Sequence, residues 1–106
     1  MDTSQLLKGV LPAVTLAAVA AGETYGYEVV STLRSSGLTT VGDASVYGTL
    51  QRLYDDGALS SFVVPSATGP SRKYYAITDQ GRSALKADRN QWDAFQSVVS
   101  RVLGSP

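Results

Sequence analysis

Apolar positions recur along this chain with changing period, and the changes mark its elements. Leu6, Val10, Val14, Ala17 and Ala21 follow spacings of four and three, which predicts a helix with one core-facing stripe. Gly22 is expected to close that helix in a left-handed conformation, and Pro12, which lacks an N–H, to kink it or to begin a fresh helix. Thr24 then reads as the N-cap of a second helix through Tyr27, Val30, Ser31 and Leu33-Arg34, ended by Gly37. Thr39-Thr40-Val41 is short and β-branched, the pattern of a single edge strand. Asp43 caps a third helix from Ala44 to Asp56, closed by Gly57. Two β-rich runs, Leu59 to Val64 and Arg72 to Ile77, flank the sequence PSATGPS, which has the proline, glycine and serine of a hairpin loop. Thr78 starts a last helix that reaches about Leu103.

Helix, helix, short strand, helix, hairpin, long helix is the order of a winged helix-turn-helix with one appended helix. The expected class is therefore α+β, mostly helical, with residues 1–78 as a winged-helix DNA-binding domain and 79–106 as a C-terminal dimerisation helix and tail.

The third helix carries the candidate chemistry. Residues three and four apart share a helix face, so Val46, Leu50, Leu53, Tyr54 and Gly57 are expected in the core with Tyr47 at the edge. The opposite side then presents Ser45, Gly48, Thr49, Arg52 and Asp56, with no carboxylate in its first two turns. Small residues, hydroxyls and one guanidinium suit insertion into a DNA major groove, where arginine bridges guanine O6 and N7 or a phosphate. Gly48 costs about 1 kcal/mol of helix propensity relative to alanine, so something must approach closely there. DNA is one such body; a second helix crossing at Gly48, with its polar neighbours merely solvated, is the other. Asp55 and Asp56 stand in the last turn, against the helix dipole. No acid occurs from Ala58 to Thr78, where Arg72 and Lys73 stand together as the hairpin's candidate phosphate contacts. Adjacent bases on an exposed strand also serve simply as solubilising edge charge.

Composition narrows the chemistry. The 106 residues, 43% of them hydrophobic, suffice for one core. There is no cysteine and no histidine, which removes disulfides, the usual nucleophilic triads and the common zinc spheres. No dinucleotide or P-loop glycine pattern is present, so an enzyme is not expected, nor a metal or cofactor. The formal charge is zero, so any affinity for nucleic acid rests on local charge. Val10 to Ala21 resembles the apolar region of a signal peptide and Ala18-Val19-Ala20 fits a cleavage site, but Asp2 and a lone Lys8 precede it. A buried helix in a cytoplasmic protein, away from any membrane, is the expectation; a bilayer span wants about 20 apolar residues.

In the last helix Leu85, Trp92, Phe95, Val99 and Val102 fall at a and d positions of one heptad register, with Val98 and Leu103 broadening the stripe. The preceding domain is too small to cover such a stripe, which implies a second copy of the chain, with Leu6 and Val10 of the first helix contributing. Two copies place two recognition helices about 34 Å apart on a roughly palindromic operator. Trp92, the only tryptophan, reads as an interface anchor packed by Phe95, or as half of a paired-indole slot for a small planar hydrophobic ligand.

The chain resembles the PadR family of transcriptional regulators, in its short subgroup with a single C-terminal helix. The resemblance runs from Leu6-Leu7-Lys8-Gly9 through Gly26-Tyr27, Val46-Tyr47, Leu50-Gln51-Arg52-Leu53, Asp56-Gly57-Ala58-Leu59, Arg72-Lys73-Tyr74-Tyr75, Ile77-Thr78 and Gly81 to the Trp92 helix. It implies a dimeric winged-helix repressor, released from double-stranded operator DNA by a small aromatic ligand or another signal. By position, it implies that Ser45, Tyr47, Thr49 and Arg52 face DNA, that Arg72 and Lys73 meet the backbone, and that Trp92 stacks on planar ligands between subunits. Two departures stand out: Gly48 replaces the proline or larger residue of many members, and the wing is only weakly basic, which implies modest and salt-sensitive affinity. Val98 and Val99 are small, which leaves open whether a pore exists between subunits. A winged-helix module that binds another protein, favoured by the neutral charge, is the alternative.

Overall fold

The computed structural model describes residues 1–104; the end of the expected tail, residues 105–106, lies outside them. Four helices and a three-stranded antiparallel sheet follow one another as α1 (Thr3–Ala20), β1 (Thr24–Tyr25), α2 (Gly26–Ser35), α3 (Asp43–Asp55), β2 (Leu59–Val64), β3 (Arg72–Ile77) and α4 (Asp79–Leu103). The sheet order is β1-β3-β2. This is the winged helix-turn-helix with a long final helix that the hydrophobic pattern implied.

α1 is capped by the Asp2 carboxylate, which accepts from the Ser4 N–H, and continues through Pro12 as one element. No fresh start occurs at the proline. Leu11, Thr15, Leu16 and Val19 are buried, while Leu6 and Ala21 are exposed and Val10, Val14 and Ala17 half-buried. The fully buried residues therefore lie on a different side of α1 from the expected stripe, none of whose members is fully buried. α1 is apolar enough and, at 18 residues, long enough by composition to cross a membrane; here its buried side joins α2 and α3 in the core. Gly22 is not left-handed: the helix ends at Ala21 in a right-handed conformation, and the positive-φ glycines among the described residues are Gly37, Gly57 and Gly104.

Two further local expectations yield to tertiary pairing. Thr39-Thr40-Val41 forms no strand; Val41 is buried as part of the turn between α2 and α3. The third strand is instead Thr24–Tyr25, held by pairing with Tyr74 and Tyr75 of β3. Thr24 thus does not cap α2. Its hydroxyl donates to the Glu28 carboxylate at 2.6 Å, and α2 begins at Gly26. Asp43 is the first residue of α3 rather than its cap, which is Gly42. There it suits the positive end of the helix dipole and pairs with Arg34 at 3.1 Å. The same guanidinium donates to the Val41 carbonyl, so one side chain ties the end of α2 to the start of α3.

Val29, Val30, Val46, Leu50, Leu16 and Val19 form the centre of the core. Burying each aliphatic side chain there stabilises the fold by about 1.5–3 kcal/mol. Where α3 meets α4 the joint is made of backbone. The Thr78 hydroxyl reaches the Gly57 and Ala58 carbonyls at 2.7 and 3.0 Å and accepts from the Gly81 N–H. The Gln80 amide donates to the Asp56 carbonyl at 2.7 Å. A Cβ at Gly81 would collide with the Ala58 carbonyl, so the first turn of α4 fits only as glycine. Leu85 is 5% exposed and belongs to this core. It is not available to a second chain, which corrects its expected place in a dimer seam. Beyond it α4 leaves the domain, and the molecule measures 56 × 28 × 19 Å.

Candidate nucleic-acid interface

Burial fixes the orientation of α3. Val46, Thr49 and Leu50 are buried and Leu53 half-buried, so the outward face is centred on Ala44, Gly48, Gln51 and Asp55, with Tyr47 and Arg52 on its flanks. Two expectations change. Thr49 is 6% exposed and its hydroxyl donates back to the Ser45 carbonyl at 2.7 Å, so it has neither surface nor free proton to offer a base. Tyr54 stands outside the core, with the Lys73 ammonium 5.2 Å from its ring centroid. Ser45, Gly48 and Arg52 are exposed where the pattern placed them.

Gln51 was missed. The sequence signal for it was present: with Val46, Leu50 and Leu53 pointing inward, position 51 falls nearly opposite their mean direction. An exposed glutamine between two leucine positions carries no chemical mark of its own, unlike the neighbouring guanidinium of Arg52.

Gly48 has open space around it. A Cβ added there would meet no heavy atom within 4 Å, so no part of this chain makes the close approach that its glycine permits. Gly26 shows the opposite case, because a Cβ there would fall within the Tyr47 ring. The ring packs against the backbone of Gly26 at the start of α2, which leaves Tyr47, still 47% exposed, at the edge of α3.

Beside Tyr47 runs a groove of about 460 Å³ lined by Tyr25, Gly26, Tyr27, Tyr47, Tyr75 and the two bases of the hairpin. Arg72 and Lys73 leave opposite faces of β3, as neighbours on a strand must. Each is held by an aromatic ring. The Arg72 guanidinium lies 4.6 Å from the Tyr25 centroid, and the Lys73 ammonium 5.5 Å from that of Tyr75. Tyr25 in turn packs on Tyr74 at 5.2 Å. Cation–aromatic contacts of this kind contribute about 0.5–1 kcal/mol at exposed sites, enough to restrict two long side chains without neutralising them. The face as a whole presents two ring-packed cations, tyrosine hydroxyls, an amide and the exposed Arg52. Of its carboxylates, Asp43 pairs with Arg34 and Asp55 accepts from Gln51, while Asp56 stands exposed just beyond the end of α3.

Along α4 the expected apolar stripe is open beyond Leu85. Trp92 is 52% and Phe95 61% exposed; Val98, Val102 and Leu103 are exposed and Val99 half-buried. On α1, Leu6 is exposed and Val10 half-buried.

The model of the PadR-like transcriptional regulator family matches residues 15–87. The chain belongs to the PadR-like family. A PadR-like transcriptional regulator from Bacillus cereus is 34% identical, over 96% of this chain and 99% of that one, with a TM-score of 0.84. A PadR family transcriptional regulator from Eggerthella lenta is 27% identical over 98% and 90% of the two chains, with a TM-score of 0.88. Bacillus subtilis PadR, solved in complex with operator DNA, is 25% identical over 74% of this chain and 45% of that one, with a TM-score of 0.68. PadR-like proteins are DNA-binding transcription regulators, not enzymes.

Proposed function

We propose that the chain is a homodimeric, sequence-specific repressor that sets the outward face of α3 into the major groove of a pseudo-palindromic operator. The observation that carries this is the surface around Gly48. It is free of carboxylates from Ala44 to Tyr54, open to a close approach, and flanked by Arg72 and Lys73. Within it Arg52 is the base-reading side chain, Ser45 and Tyr47 are hydroxyl contacts, and the hairpin bases meet phosphate. The operator complex of the Bacillus subtilis relative supports DNA as the partner.

Dimerisation supplies the second half-site. The exposed stripe of Trp92, Phe95, Val99 and Val102, with Leu6 and Val10 beside it, is covered by the same stripe of a second copy. Paired Trp92 and Phe95 side chains then offer a slot for a small planar hydrophobic effector that releases the repressor, a cytoplasmic protein, from DNA. The neutral net charge favours a second reading, a winged-helix module for protein partners. Titrating the purified protein with a duplex from the promoter of its own gene, at several salt concentrations, separates the two. Specific binding that falls steeply with salt and footprints two half-sites is expected. Binding that is absent, or indifferent to sequence, would overturn the repressor reading.

A further inference from the structure

Asp55 is the single carboxylate on the outward face of α3, and it stands where a negative charge opposes the helix dipole. Arg52, one turn earlier, forms no ion pair with it among the described residues. Its partner is the Gln51 side-chain amide, whose nitrogen donates to Oδ1 at 2.9 Å. An ionised carboxylate only accepts hydrogen bonds, so the amide must turn its nitrogen, never its oxygen, toward Asp55. That removes the two-fold ambiguity of a free glutamine, whose terminal torsion is otherwise broad. The second N–H and Oε1 make no other hydrogen bond among the described residues, on an exposed side chain. A donor next to an acceptor at this spacing matches the N7 acceptor and N6 donor of adenine in the major groove.

We propose that Gln51 is a specificity-determining residue that reads one adenine in each operator half-site, and that Asp55 is a positioning residue that fixes which way its amide faces. The inference rests on the major-groove reading of α3. It gives the acid of the last turn a task that helix stability does not. Gly48, one turn before Gln51, allows the backbone to come near enough for a side chain of this length to reach a base edge.

The test is selection of bound duplexes from a randomised library by the full-length protein and by Gln51→Ala, Gln51→Glu and Asp55→Asn. The wild type should enrich a two-fold motif with adenine preferred at one position per half-site by about five- to hundred-fold, the range for a bidentate pair. Gln51→Ala should lose that preference and keep the rest of the motif. Gln51→Glu should move it to cytosine, whose N4 amine donates to a carboxylate. Asp55→Asn, free to donate or accept, should keep the motif but lower the adenine preference several-fold. An unchanged adenine position in Gln51→Ala overturns the assignment while leaving the operator reading intact. A wild type that enriches no motif overturns the major-groove reading, and the role of Gln51 with it.

Discussion

α3 and the outer half of α4 are both helices with one side left open, and what each leaves open differs. α3 buries Val46, Thr49 and Leu50 and shows solvent a glycine, an amide, a tyrosine edge and an arginine. α4 beyond Leu85 shows an indole, a phenyl ring and several valines. Water satisfies the first surface without penalty. It does not satisfy the second, because each exposed apolar side chain there forgoes roughly 25 cal/mol per Å² of buried area. The contrast separates two surfaces: a polar face suited to exchange water for a charged, hydrated partner, and an apolar face that, in the proposed dimer, a second copy covers.

Four substitutions press on that contrast. The largest effect is expected from Phe95→Asp, which sets an unpaired carboxylate in the proposed α4 seam. It should weaken association by about 2 kcal/mol or more, as interface anchors do, so that sedimentation at micromolar concentration shows single chains. Operator affinity should fall with it, through lost bivalency, although α3 is untouched. A dimer that survives Phe95→Asp would mean that the two open faces are not divided in this way. Next comes Arg52→Ala, which should cost about 1–3 kcal/mol on the cognate duplex and leave the dimer alone. Arg72→Ala should instead weaken cognate and random duplexes equally; identical behaviour of the two variants in gel-shift titrations would remove Arg52 from base reading. The smallest effect is expected from Gly48→Ala. The added methyl meets nothing within 4 Å, so thermal unfolding should report a gain of up to about 1 kcal/mol from helix propensity, while operator binding weakens. A variant that gains in both would show that no close approach is made at Gly48.

Much of this architecture was legible because its signals are local. Leu59–Val64 and Arg72–Ile77 alternate around a loop rich in proline and glycine, and both strands have the limits read from the pattern. Thr78 opens α4 with its own side chain, and Gly37 and Gly57 take the positive φ that a helix end requires. The errors arise where the deciding partner is distant in sequence. β1 is two residues long and exists only against β3, so no local propensity announces it. α1 is apolar on most of its circumference, and a period cannot select one face when several qualify; the elements packed on it, α2, α3, α4 and β3, choose Leu11, Thr15, Leu16 and Val19. The interface was read from residue type, with hydroxyls and guanidinium taken as outward. That admitted Thr49, which satisfies itself on its own helix, and passed over Gln51. Leu85 shares the heptad register of Trp92 and Phe95, but the polar Asp88 interrupts the stripe between them, where α4 stops touching its own core.

The joint at Thr78 has a mechanical consequence. Because short hydrogen bonds tie the turn that closes α3 to the start of α4, a rotation of α4 would carry α3 with it, with α4 as the long arm. In the proposed pair of chains, the separation of the two DNA-facing tips is then set by the angle at which the long arms cross. A few degrees of scissoring at the far end, the kind of motion a wedge between indoles produces, would shift those tips by ångströms and take them out of step with the turns of the duplex.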